Sequence, residues 1–144
     1  MRDEGRLTKD ELDRVNDIAK VLRRELERLS QLTGWLNRIT QELDGLPHEQ
    51  SYKRSRIAEL IAQKVDCENN IEQLKLARAE ESAKLVKVID DSIFDSDQRK
   101  VIVEHYCFGK GFSQIARELN FSEGHTFRLH KKGLRALGIP RRDT

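Results

Sequence analysis

Apolar residues spaced alternately three and four apart constrain this chain more than any other feature in it. Leu12, Val15, Ala19, Leu22, Leu26, Leu29, Leu36 and Leu43, completed by Thr33 and Thr40, keep that step without a break. The mean repeat of 3.5 residues keeps one narrow seam of a helix against a partner helix, so the pattern predicts a coiled-coil helix over about 9–43. Arg23, Arg24, Glu25, Glu27 and Arg28 surround the seam with charges of both signs. A second stripe, Ile18, Leu32, Trp35 and Ile39, widens the apolar face, which suits packing against more than one helix. Thr8 and Glu11 stand three apart, the spacing of a capping box. Gly34 costs about 1 kcal/mol inside a helix; beside Trp35 it either makes room for a crossing backbone or marks a weak point.

The run Asp44-Gly45-Leu46-Pro47 supplies a helix stop, and His48-Glu49-Gln50-Ser51 shows no periodicity and reads as a linker. A second long helix is predicted from about Tyr52 to Ile93. Its seam is Ile57, Leu60, Lys64, Cys67, Ile71, Leu74, Arg78, Glu81, Leu85 and Val88, flanked by Ile61 and Ile89, and Lys64, Arg78 and Glu81 weaken it. Helices of this length reach roughly 50–60 Å. A short connection between two such helices usually folds them back on each other, so residues 1–93 read as a long helical hairpin. The spacing leaves parallel or antiparallel pairing and dimer or tetramer open, and a solvated spacer is the plainer alternative. Composition favours an oligomerisation arm. The 144-residue chain is 36% charged and 37% hydrophobic, where an ordinary domain is about 25% charged and about 45–50% apolar. Neither helix of so core-poor a chain buries its stripe alone, so the hairpin needs itself, a second copy, or both, and a homodimer or higher homo-oligomer is expected.

Several classes are excluded. With 2 prolines, 8 glycines and few β-branched runs, the chain is all-α rather than a sandwich or barrel. No stretch approaches 18 apolar residues, so no membrane partner is expected. The first residues carry no apolar signal core, which places the protein in the cytoplasm as an expectation. Cys67 and Cys107 make no disulfide framework and are expected to be reduced. His105 and Cys107 are two apart on a helix and point to different faces, and no Cys-x-x-Cys pair exists, so no metal site is expected. Gly109-Lys110-Gly111 is too short for a phosphate loop. No cofactor and no enzymatic activity are expected.

The period changes after residue 93. Residues 96–144 hold 10 Lys/Arg and 5 Asp/Glu, a net of +5 in a chain of net +2. Asp95 offers a helix cap, Val101, Ile102, His105 and Tyr106 lie on the helix that follows, and Phe108-Gly109-Lys110-Gly111 ends it. A short helix, Phe112–Leu119, precedes the turn Asn120-Phe121-Ser122, and a last helix runs from Glu123 to about Leu137, closed by Gly138 and Pro140. Ala116 sits where two crossing helices meet, Asn120 where the turn needs a left-handed backbone, and Ser122 at a cap. This spacing predicts a helix-turn-helix over 94–144 whose second helix enters a DNA major groove. A tri-helical bundle without DNA shares the pattern; Arg128, Lys131, Lys132 and Arg135 on that helix favour double-stranded DNA.

The stretch Gly111–Leu134, GFSQIARELNFSEGHTFRLHKKGL, resembles region 4 of the sigma-70 family, the part that reads a promoter −35 element. Residues 44–138, with a DGLP linker, a long charged helix and a sigma-like helix-turn-helix ending in FRLHKKGL, resemble the ArpU/RinA-type regulators of late phage genes. The resemblance implies a phage or prophage transcription regulator. Thr126 departs from the Val or Ile usual in the motif, and Gly124 lies inside the reading helix, where it costs helix stability but permits close backbone approach. Nothing resembles sigma region 2, so a complete sigma factor is not expected.

Thr126, Leu129, Gly133 and Leu137 are expected to face the bundle, and Glu123, Gly124, Phe127 and Arg128 to read bases. Arg128 suits guanine O6 and N7. Glu123 suits a cytosine amino group or simply the helix dipole; Phe127 suits a thymine methyl or the neighbouring helix. Gln114, Arg117, His125, Lys131, Lys132, Arg135, Arg141 and Arg142 are the candidate phosphate contacts, His125 equally a plain surface residue. His130 is expected to cap or pack between helices. Two alternatives stand beside the regulator: a small-terminase-like packaging protein, in which the reader usually precedes the hairpin, and a coiled-coil adaptor whose tail contacts host RNA polymerase.

Overall fold

In the computed structural model the described residues form five helices, α1 (Lys9–Gln41), α2 (Pro47–Ser92), α3 (Ser96–Tyr106), α4 (Phe112–Leu119) and α5 (Glu123–Ala136). The structure describes residues 7–42 and 47–139, with no strand among them. Leu43, the segment Asp44–Leu46, Pro140 and the phosphate candidates Arg141 and Arg142 lie outside the described residues. No described helix is long and apolar enough to cross a membrane.

The capping box at the start of α1 is complete. The Thr8 hydroxyl accepts from the Glu11 N–H at 3.1 Å, and the Glu11 carboxylate accepts from the Thr8 N–H at 3.3 Å. The second helix begins at Pro47, not at Tyr52. Proline needs no N–H partner in the first turn and its φ is already helical, so the Pro taken as a stop signal is a helix start. The residues read as a linker, 48–51, are helical.

The described helices fall into two compact units. One takes the chain up to Ile18 together with Arg78 onwards; the other is Ala19–Ala77. In the first unit, Leu12 and Val15 of α1 pack with Leu85, Ile89, Ile93, Ile102, Tyr106, Cys107, Leu137 and Ile139 in one buried cluster. Leu12, Ile89, Ile93 and Ile102 are fully buried, and each such side chain contributes about 2 kcal/mol. The seam entry Glu81 is held by Arg14 at 3.6 Å. A smaller cluster, Val101, Ile115 and Leu129, lies among α3, α4 and α5.

In the second unit, Leu22 and Leu32 of α1 pack with Leu60, Cys67 and Ile71 of α2. The Cys67 thiol donates to the Glu25 carbonyl and carboxylate at 3.2 and 3.1 Å. The seam here differs from the expected one. The shared row Leu22, Leu29, Leu36 is inside, but its companion is Glu25, Leu32, Ile39 rather than Leu26, Thr33, Thr40. Leu26 is 44% exposed and Trp35, in the second stripe, 50%. Both rows flank the shared one at heptad spacing, and periodicity cannot choose between them; the side of the row on which α2 lies does. No atom stands within 4 Å of a Cβ built on Gly34, so it makes room for no crossing backbone among the described residues. Both cysteines are free and buried.

Candidate nucleic-acid interface

Asp95 caps α3, accepting from the Gln98 N–H at 2.9 Å. Gly109, at φ +70, turns the chain after α3. Lys110 then ties α3 to α4, lying 2.7 Å from Glu104 and 2.8 Å from Glu118. At the end of α4, Asn120 takes the left-handed conformation at φ 59, and the Phe121 N–H returns to the Ala116 carbonyl at 2.8 Å. Asn is among the few non-Gly residues that enter this region readily, as the turn was expected to need. Ser122 then caps α5, its hydroxyl accepting from the His125 N–H at 3.0 Å. Thr126 is fully buried, and its hydroxyl donates to the Ser122 carbonyl at 2.9 Å, so the residue departing from the apolar pattern leaves no unmet donor. At the far end, Gly138 at φ +78 closes α5 with Ile139 N–H to Leu134 and Gly138 N–H to Arg135, a Schellman pair.

Helix α5 is two-faced. Thr126, Leu129 and Gly133 are buried, with Leu137 at its cap. Glu123, Gly124, Phe127, Arg128, Lys131, Lys132 and Arg135 are exposed. A Cβ built on Gly124 lies 3.5 Å from an Arg128 guanidinium nitrogen, so this side chain runs back along the helix towards its N-terminal end. Phe127 is half exposed, edge-on to Phe112 at 5.5 Å, and the Lys131 ammonium lies 4.9 Å over its ring. Phe127 thus packs one edge on the neighbouring helix α4 and leaves about half of its surface exposed.

The other candidates are placed less freely. The Glu123 carboxylate accepts from the Ser113 hydroxyl at 2.8 Å, bridging α5 to α4 as well as facing its own helix N-terminus. His125 is half-buried edge-on to Phe121 at 5.0 Å. On α4, Gln114 donates to Glu118 at 3.1 Å, and Arg117 is exposed.

An aromatic cluster behind α4 and α5 was not foreseen from the sequence. The Tyr106 hydroxyl and His130 Nε2 stand 2.6 Å apart, and His105 stacks on Phe112 at 4.4 Å. The start of α1 closes over this cluster: the Lys9 ammonium lies 5.0 Å above the Tyr106 ring, and Asn16 donates to the His105 carbonyl at 3.1 Å. The only signal in the sequence was the aromatic and histidine content around residues 105–130, which says nothing of α1.

His130 Nδ1 is buried without a hydrogen-bond partner among the described residues. Burial, and then His105, Lys9 and Lys131, hold its pKa down to about 4 from 6.5. Burial likewise pushes Tyr106 up to about 12. Because the folded His130 pKa lies below the unfolded value, the unfolded chain binds the proton first as pH falls. The site costs nothing above about pH 6.5, and its cost grows down to about pH 4. The ring is mostly but not wholly buried, and the solvent that still reaches it limits that cost to about 1–2 kcal/mol. The thermal midpoint is therefore expected to fall between about pH 6.5 and 4.5, and to fall less in His130→Phe. Parallel midpoint-against-pH curves for the two proteins would refute the assignment.

Comparison of the chain with protein-family models, curated proteins and solved structures finds no match to any of them.

Proposed function

We propose that this protein is a sequence-specific DNA-binding transcription regulator: a helical hairpin of α1 and α2 that self-associates, joined to a helix-turn-helix of α4 and α5. The observation that carries the reading is the two-faced α5. Its exposed side bears Arg128, Lys131, Lys132 and Arg135, its buried side is anchored by Leu129 and Gly133, and a left-handed Asn120 and a Ser122 cap set its entry. A helix held this way presents side chains of the right length and charge to a major groove. Arg128 with Gly124 and Phe127 forms the base-reading group; Lys131, Lys132 and Arg135 hold phosphates. The hairpin is supported by the short connection between α1 and α2 and by Cys67 opposite Glu25. The assignment to phage or prophage late genes rests on the sequence resemblance.

Selection from a random duplex library, followed by titration on the selected site, tests the reading: a defined sequence is expected to emerge, and recovery of no sequence would overturn it. Lys131→Ala is expected to weaken selected and random duplexes alike and to lower the log–log salt slope by about 1. An unchanged slope would remove Lys131 from the phosphate contacts.

A further inference from the structure

We propose that one face of the α1/α2 pair, formed by Ala19, Leu26 and Thr33 of α1 and Ile61, Val65 and Leu76 of α2, is where a second copy of this chain docks. This rests on the reading of the two long helices as an antiparallel hairpin and self-association element. Val65 and Ile61 are each 47% exposed, Leu76 61% and Leu26 44%. Successive helix positions turn by about 100°. On that scale Leu26 lies about 80° past the buried stripe of α1, and Ile61, Val65 and Leu76 lie between about 100° and 160° past that of α2, in the direction of rising residue number. Antiparallel right-handed helices turn in mirrored senses about their common seam. Rows displaced the same way therefore come out on the same side, as one apolar face. The row of α1 that the seam leaves out is the row that completes the heptad repeat in the sequence. That repeat is accounted for when two layers of helix pack against α1, one from its own chain and one from another.

The charges select a second copy as the occupant. Glu25 lies opposite Cys67, so Arg23 stands level with residue 69, between Glu68 and Glu72. Arg23 and Glu68 make no ion pair among the described residues, and Glu72 has Lys75 at 3.9 Å. A two-fold axis parallel to the helices sets α1 of each copy against α2 of the other at the same level. Leu26 then meets Val65, Thr33 lies within a turn of Ile61, and Arg23 falls between the Glu68 and Glu72 carboxylates, twice over by symmetry. The product is a four-helix bundle with self-complementary charge. The opposite side of the pair carries Val21 and Trp35 of α1, but of the α2 positions on that side only Tyr52, near its end, is a large apolar residue; Gln63 and Asn70 continue it, so no apolar row runs the length of that side.

Sedimentation equilibrium on the full chain tests this face. The unchanged protein is expected to dimerise. Leu26→Glu is expected to weaken the dimer on the order of a hundredfold with its helical circular dichroism retained. Arg23→Glu, or Glu68→Arg with Glu72→Arg, is expected to weaken it roughly tenfold, and the three together to restore it to within about threefold. A dimer that withstands both Leu26→Glu and Val65→Glu overturns this face while leaving self-association intact, and losses that simply add in the triple variant overturn the charge pairing. A monomeric unchanged protein overturns the face and the self-association reading together. A duplex titration on the same samples keeps the DNA-binding reading separate: dimerisation without DNA binding defeats that reading and leaves this one standing.

Discussion

Gly133→Ala is expected to destabilise the protein by about 2 kcal/mol, although alanine is the better helix former. A Cβ built on Gly133 lies 2.5 Å from Ile102 Cγ1 and 2.8 Å from its Cδ1, and Ile102 is fully buried. Neither α3 nor α5 has slack there, since Ile102 is also locked into the cluster with Leu12 and Ile89. Overpacking of this kind costs about 1–3 kcal/mol or somewhat more, against a gain of about 1 kcal/mol in helix propensity. Urea unfolding of Gly133→Ala, Ile102→Ala and the pair completes a cycle. The pair is expected to be more stable than the two single losses summed, because the new methyl fills space vacated by Ile102. Unchanged or improved stability in Gly133→Ala would show that α3 and α5 do not approach this closely.

Arg128→Ala is expected to lower affinity for the selected duplex about ten- to a hundredfold, or about 1–3 kcal/mol, while binding to random duplex changes little. Arg128 is exposed, and its guanidinium lies back over Gly124, so it is carried near the N-terminal end of α5 without being tied to the protein by an ion pair among the described residues. Lys131, by contrast, sits over the Phe127 ring and acts as a point charge. Competitive titration with selected and random duplexes checks the difference. Equal loss on both would return Arg128 to the phosphate-binding group.

The elements and caps of α3, α4 and α5 were legible because each depends on neighbours in sequence. The left-handed turn at Asn120 and the Ser122 and Asp95 caps involve partners within a few residues. The same holds for the capping box at Thr8 and for the two faces of α5. The start of α2 was misread because Pro47 is compatible with both a helix stop and a first turn, and the sequence around it does not choose between them.

Local patterning by itself determined that this chain is helical, where most of its helices begin and end, and which residues of α5 are buried and which are free. Only the tertiary structure decided which row of α1 faces α2, that Gly133 accommodates Ile102, and that Leu12 and Val15 pack with Ile102 and Tyr106 rather than serving the long helices alone. The physical reason is one of range. Caps and turns are satisfied by hydrogen bonds a few residues away, and heptad spacing marks a helix surface as apolar without naming what covers it. Asn16 and the His105 carbonyl, 89 residues apart, meet because burying Leu12 and Val15 brings them together.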